Sequence, residues 1–236
     1  MPRERLDEAG CDKMRAMRYR EISPPPAFAA SIECLWRLDP GDRGFHRVTP
    51  DGCADIVFSN AGAVAVGAMT AFQDVASQGV SMGVRFHPGM WARYFRIEAA
   101  ALTDRTMALE KWSMPETLEE LARMVEGAWQ PVEPATAFER ALQWAREMHG
   151  AVSMDQMAAQ CNLSARQLRR VSLERTGLTP KFLMRVLRFR HAASRLRSAG
   201  GAHLAAECGY YDQAHLIHEF REFAGRTPAM SVFSNL

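Results

Sequence analysis

No stretch of the 236-residue sequence is apolar for long enough to cross a bilayer, and the charged opening MPRERLDEAGCDKMRAMRYRE holds no apolar core of a secretion signal. A cytoplasmic protein without a membrane partner is the expectation. Cysteine is sparse. Cys11, Cys34, Cys53, Cys161 and Cys208 are five, an odd number, widely spread and with no CxxC pair. That pattern argues against a disulfide framework or a structural zinc site and leaves the thiols as small apolar fillers. There is no GxSxG, no HExxH and no phosphate loop, so the expectation is a non-enzyme with no catalytic residue, cofactor or metal. No heptad repeat announces a coiled coil.

What is present is uneven. From Pro134 onward the chain has 14 Lys and Arg against 8 Asp and Glu, a balance of +6, whereas residues 1–133 have 15 against 19, or −4. A basic C-terminal part behind an acidic N-terminal part fits a nucleic-acid module joined to something else. Residues 1–23 read as a polar segment, the first twenty of them frayed or loosely helical, ending at Ser23-Pro24-Pro25-Pro26. Strand-like runs follow at Ser31–Leu38, Ala54–Ser59, Ala63–Met69 and Val80–Phe86, the middle two forming a hairpin about Asn60-Ala61-Gly62. Met90–Phe95 suggests a helical turn and Thr117–Trp129 a helix with Glu119 and Glu120 at its start. Prolines 131 and 134 mark a linker. The expectation is an α+β domain over 24–130, a linker over 131–134 and an all-α domain over 135–236.

The all-α part contains the components of a helix-turn-helix twice: small residues where two helices cross, a tight turn, and a capped second helix with a polar face. In the first unit Met154–Gln160 carries Ala158 and Ala159. Cys161-Asn162-Leu163 makes the turn and Ser164 caps ARQLRRVSLERTG. Leu168 and Val171 face inward, while Arg166, Arg169 and Arg170 share the other surface. In the second, Leu204, Ala205 and Ala206 precede a turn at Gly209, and Asp212 caps QAHLIHEFREFAG, with Leu216, Phe220 and Phe223 as its apolar stripe and Gln213, His215 and His218 on the groove side. Between the units, Thr179-Pro180 opens a helix to about Ser198. Roughly 18 residues give about 27 Å at 1.5 Å per residue, comparable to the ~34 Å between successive major-groove segments. Its Arg185, Arg188, Arg190, Arg195 and Arg197 are expected either to touch phosphates or to form a solvated face.

The segment GYYDQAHLIHEFREFAGRTP resembles the signature of the AraC/XylS family of transcription regulators, and NLSARQLRRVSLERTGLTPKFLMRVLRFRHAASRL resembles the family's first unit and joining helix. The resemblance covers about residues 135–236. It implies sequence-specific reading of adjacent major-groove segments by the second helix of each unit. By position, the DNA contacts fall to Ser164, Arg166, Gln167, Arg169 and Arg170 in the first unit, and to Gln213, Ala214, His215 and His218 in the second. It also implies double-stranded DNA as partner, with a small-molecule effector, a second copy of the chain and, for an activator, RNA polymerase as further partners. Three residues depart from the pattern. Ser172 stands where Phe is usual, which suggests weaker packing of the first unit. Gly201 stands for an Ile, and His218 for an Arg.

VTPDGCADIVFSNAGAVAVG, VSMGVRFHPGMWARYF and LTDRTMALEKW resemble a poorly characterised domain found ahead of AraC-type modules, which implies ligand sensing or subunit pairing. Arg85 alternates with Val84 and Phe86; if buried, it needs Asp51 or Asp55 as counter-charge. A ligand pocket is placed near Trp36, Asp55 and Arg85. Asp51, Cys53 and Asp55, with His46 and His87, also invite a catalytic reading, but Pro50-Asp51-Gly52 is ordinary turn chemistry. Two alternatives from other classes are a DNA alkylation-repair protein, which would need clustered cysteines on zinc, and an enzyme activity in the N-terminal domain.

Overall fold

Apolar-polar alternation in the first half of the chain builds a sheet, and helical spacing in the second half builds a bundle. The computed structural model describes residues 18–41, 45–76, 79–110, 112–196 and 201–231. Its strands are β1 (Arg18–Ile22), β2 (Ile32–Asp39), β3 (Phe45–Val48), β4 (Ala54–Ser59), β5 (Gly62–Val66), β6 (Gln73–Ala76), β7 (Ser81–Phe86) and β8 (Thr106–Leu109). Six of them form one antiparallel sheet in the order β1-β2-β7-β4-β5-β8, and β3 pairs with β6 apart from it. The β4–β5 hairpin matches its turn signal. Arg18–Ile22, expected to fray or coil, is instead an edge strand: Tyr19 packs on Trp36 and Arg20 reaches Asp39 across the β1–β2 pair. The register between β2 and β7 shifts at Glu33, so that Ile32 pairs with Phe86 and Cys34 with Arg85. Such a shift re-aims a side chain, and Glu33 leaves the sheet toward the helical half.

One sheet face is covered by α1 (Trp91–Tyr94), α2 (Ala99–Leu102) and α3 (Leu118–Ala128), which bury Ile32, Leu35, Ile56, Phe58, Val84 and Phe86 against Trp91, Leu121 and Val125. Thr117 caps α3 by accepting from the Glu120 amide. On the other face Cys34, Trp36 and Leu38 make a smaller cluster.

The helical half contains α4 (Ala137–Glu147), α5 (Met154–Cys161), α6 (Ala165–Thr176), α7 (Pro180–Arg195), α8 (Gly201–Glu207), α9 (Gln213–Ala224) and α10 (Pro228–Ser231). Helix α7 supplies two cores from two of its faces. Leu183, Met184 and Leu187 pack with Phe138, Leu142, Met157 and Leu168; Val186, Phe189 and Ala192 pack with Leu204, Leu216, Phe220 and Phe223. The helix ends at Arg195, short of the expected Ser198, and Arg197 lies outside the described residues. The sheet half touches this bundle directly. Leu183 lies against Gly52, where a Cβ would come within 2.5 Å of it, and the Thr103 hydroxyl donates to the Gly177 carbonyl at 2.9 Å. Arg47 donates to the Ala224 carbonyl at 3.1 Å.

Candidate nucleic-acid interface

Each reading helix begins at a side-chain cap. In the first unit Asn162 takes the left-handed conformation (φ 53°, ψ 44°) that turns the chain between α5 and α6. Ser164 then accepts from the Gln167 amide, and the Gln167 side chain accepts from the Ser164 amide at 2.9 Å and hydroxyl at 2.8 Å. This reciprocal capping box satisfies helix-end amides and occupies both side chains. Arg166, Arg169 and Arg170 are exposed on the same helix. Arg170 pairs with Glu174 at 2.9 Å, a solvent-exposed bridge of small energetic weight. In the second unit Asp212 accepts from the His215 amide at 2.7 Å. Gln213, Ala214 and His218 are exposed. His215 is half-buried, its ring edge-on to Tyr210 at 5.3 Å. Tyr211, the residue before the cap, is 93% exposed, which helical spacing did not disclose because it precedes the helix.

The arginines of α7 are placed otherwise than the sequence suggested. Arg185 bridges Glu219 at 2.8 Å and Glu222 at 2.5 Å, Arg188 donates to the Gly150 carbonyl at 3.0 Å, Arg190 holds Glu33, and Arg195 meets Glu207 at 3.1 Å. Periodicity shows which arginines share a face but not which carboxylates face them. These four join elements of the fold.

Trp36, Asp55 and Arg85 do come together, joined by one hydrogen bond and an ion pair. The Trp36 indole donates to Asp55 at 2.7 Å, and Arg85 Nε stands 3.1 Å from Asp51 and 3.3 Å from Asp55. Gly83 faces Trp36 across the β2–β7 register, and a Cβ there would run into the indole. Burial pushes the Asp55 carboxyl up to about 6; Arg85 opposes this and the Asp51 charge adds to it. Burial works against the Arg85 charge, but Asp55 and Asp51 outweigh it and hold the guanidinium well above its ordinary range. A cavity of the described residues lies elsewhere, between the start of β2, α4 and α7. The Cys53 thiol is buried, donates to Glu33 at 3.1 Å, and is pushed well above its ordinary pKa by burial, the opposite of an activated nucleophile. His46 stacks on Tyr19, and His87 Nδ1 stands 3.7 Å from Glu33. Among the described residues no group of three His, Cys, Asp or Glu side chains forms a metal site, and no helix is long and apolar enough to cross a membrane.

Residues 157–230 match the family model of a helix-turn-helix domain, and residues 20–108 match that of a domain of unknown function, DUF6597. The C-terminal part of the chain thus carries a helix-turn-helix domain. Several solved structures are similar to it. The DNA-binding domain of AdpA, a global transcriptional factor in complex with a target DNA, is 24% identical over 41% of this chain and 89% of that one, with a TM-score of 0.39. The C-terminal domain of AraT, a response regulator from Geobacillus stearothermophilus, is 20% identical over 43% and 87%, with a TM-score of 0.40. ToxT from Vibrio cholerae is 10% identical over 94% of this chain and 98% of that one, with a TM-score of 0.45. No curated protein matches the chain.

Within this helix-turn-helix domain Ser172, where weaker packing was expected, is buried and hydrogen-bonded. It is fully buried, and its hydroxyl donates to the Leu178 carbonyl at 2.7 Å, while the Thr176 hydroxyl donates to the Ser172 carbonyl at 2.8 Å and accepts from the Leu178 amide at 3.1 Å. A polar lock thus closes the end of α6. Restoring the family's Phe should overpack this space and remove the hydroxyl bond, lowering stability by roughly 2–4 kcal/mol. Urea denaturation of Ser172→Phe beside Ser172→Ala checks this; a Phe variant more stable than the parent would show that the site is underfilled.

Proposed function

We propose that the protein reads two successive major-groove segments of double-stranded DNA with α6 and α9 and so controls transcription. The observation that carries this reading is the pair of capped helices with exposed polar faces, joined by one continuous 16-residue helix, α7. At 1.5 Å per residue that bar is about 24 Å long, and the reading helices flank it. Arg166, Arg169 and Arg170 supply the first unit's contacts; Gln213, Ala214, His215 and His218 supply the second's. Arginine suits the acceptors of guanine and glutamine those of adenine. Ser164 and Gln167 act by fixing the helix end at the backbone, since their side chains already bond each other.

The division at residues 131–134 separates a regulatory part, 24–130, from the reading part, 135–236. The regulatory part holds α7 through Glu33 and Gly52, which supports control by a small-molecule effector. Subunit pairing and, for an activator, RNA polymerase complete the partners of this cytoplasmic regulator, which needs no catalytic turnover.

Retention of genomic fragments by the purified chain at physiological salt tests the reading. A few discrete sites are expected, with salt-sensitive affinity because arginine–phosphate contacts release counterions. Uniform binding across all fragments would refute sequence reading. Within a retained site, Arg169→Ala should weaken binding about ten- to hundredfold if the side chain reads a base. An equal loss on random DNA would assign Arg169 to phosphate instead.

A further inference from the structure

The cavity between the sheet and the bundle has a volume of about 470 Å³, inside the roughly 300–1,000 Å³ range of small-molecule sites. Its walls come from three places: the start of β2, α4, and the α7 bar that joins the reading units. The wall charges are unequally matched. Glu33 and Arg190 pair at 2.5 and 3.3 Å. Burial works to raise the Glu33 pKa, but hydrogen bonds from His87 and Arg190 and the Arg190 charge outweigh it and hold the carboxyl well below its usual range. That carboxylate is therefore fully committed. Glu147 is exposed and accepts from Gln143 at 3.3 Å.

Arg146 is the remaining charge. Its guanidinium lies 3.2 Å from His87 Nε2, and no carboxylate stands within ion-pair distance of it among the described residues. The same His87 nitrogen also lies 3.2 Å from the Ala29 carbonyl, and an imidazole ring supplies Arg146 with no anion. Burial depresses the Arg146 pKa, as expected where a cation is desolvated without a partner. A half-buried, uncompensated guanidinium in an open cleft is better solvated by an anion than by the protein alone. The rest of the wall sets the size and body of that anion. Ala29, Ala30 and Leu187 offer apolar surface, and His149 and His191 stack at 3.8 Å on the far side. The formal charges of Arg146, Arg190, Glu33 and Glu147 sum to zero, so a monoanion on Arg146 leaves the site one charge negative and a dianion two, with correspondingly more repulsion from the two carboxylates.

We propose that this cleft binds a small organic monocarboxylate, its oxygens on Arg146 and its apolar body along Ala29, Ala30 and Leu187. Bound there, it braces α7 against the sheet. Only that consequence rests on the reading of α7 as the bar between two DNA-reading units; the binding itself does not.

The test is the thermal midpoint of the full chain at constant ionic strength, titrated with benzoate and hexanoate, with benzamide as the uncharged counterpart and inorganic phosphate as the other oxyanion. A saturable rise is expected with the carboxylates, roughly 5 °C or more at about a hundredfold excess over Kd, and none with benzamide. Arg146→Gln should abolish the rise and Arg146→Lys should keep part of it. Ser194→Trp, which narrows the cleft from the exposed end of α7, should also abolish it and serves if Arg146→Gln fails to fold. No rise with any carboxylate, an equal rise with benzamide, a rise with phosphate alone, or a rise that survives Arg146→Gln would overturn the proposal. The readout contains no DNA, so its failure is distinct from a failure to read DNA.

Discussion

Replacing Arg85 with Met should destabilise the protein by about 3–5 kcal/mol, because it leaves two buried carboxylates without their cation. Arg85 is the single guanidinium between Asp51 at 3.1 Å and Asp55 at 3.3 Å, with Glu21 adding a third carboxylate at 3.4 Å from the exposed side. The cluster has more acid than base, and its surplus negative charge falls on Asp55, whose carboxyl burial raises to about 6. A folded-state acid with a raised pKa stabilises fully below its unfolded value near 4. It loses that contribution as pH rises toward 6. Asp55→Asn should therefore be close to neutral at pH 8, since the amide oxygen can still accept from Trp36 and a costly charge is gone. The loss from Arg85→Met should be largest at pH 8 and smaller at pH 5, where the orphaned carboxyls can take up protons. Urea midpoints of the two variants at both pH values decide the matter. An Asp55→Asn variant as unstable as Arg85→Met at pH 8 would mean that Asp55 is an essential ion-pair partner and not the surplus acid.

This cluster was partly legible in the sequence. The alternation Val84-Arg85-Phe86 placed a charge on one face of a strand, and a charge so placed requires acids nearby. The turn chemistry of Asp51 and the strand position of Asp55 supplied them. What the sequence could not give was the pairing, since the Trp36 indole and the Arg85 guanidinium both face Asp55. The helix-turn-helix units were more fully legible because their rules are local. Asn162, Ser164 with Gln167, and Asp212 each act within three residues of their own position, and the buried stripe Leu216, Phe220 and Phe223 repeats at helical spacing.

Features that depend on distant partners were not legible. β3, β6 and β8 are four residues each with few buried positions, so they carry no alternation to detect. Glu33 turns toward α7 because the β2–β7 register shifts beside it, and register is a property of the pair. The cleft around Arg146 needs β2, α4 and α7 to be placed together before it exists. The basic face expected of α7 failed for the same reason, its arginines being drawn to Glu33, Glu207, Glu219 and Glu222, up to 157 positions away in the chain.

That reassignment makes Arg185 a determinant of the second reading unit and sets a large expected effect on it. Glu219 is almost fully buried, and Arg185 meets it at 2.8 Å while lying over the Phe223 ring at 5.0 Å. Arg185→Met keeps the apolar stem but leaves the Glu219 carboxylate buried against α7 without a cation. The second nearby cation source is His215, 3.9 Å away and half-exposed. A loss of about 3–5 kcal/mol is expected from such an orphaned charge. The damage should be local, because α9 packs on the face of α7 that carries Val186 and Phe189, whereas the first unit's core uses Leu183, Met184 and Leu187. On a retained DNA site, Arg185→Met should therefore lose nuclease protection over one major-groove segment and keep it over the other. The double variant Arg185→Met with Glu219→Gln removes the orphaned charge and should recover much of the stability and the second footprint. Uniform weakening of both footprints, with stability unchanged, would instead return Arg185 to the role of a phosphate contact. Loss of one footprint that the double variant restores would establish that the α7–α9 ion pair, and not a direct arginine–phosphate bond, is what holds the second reading helix in place.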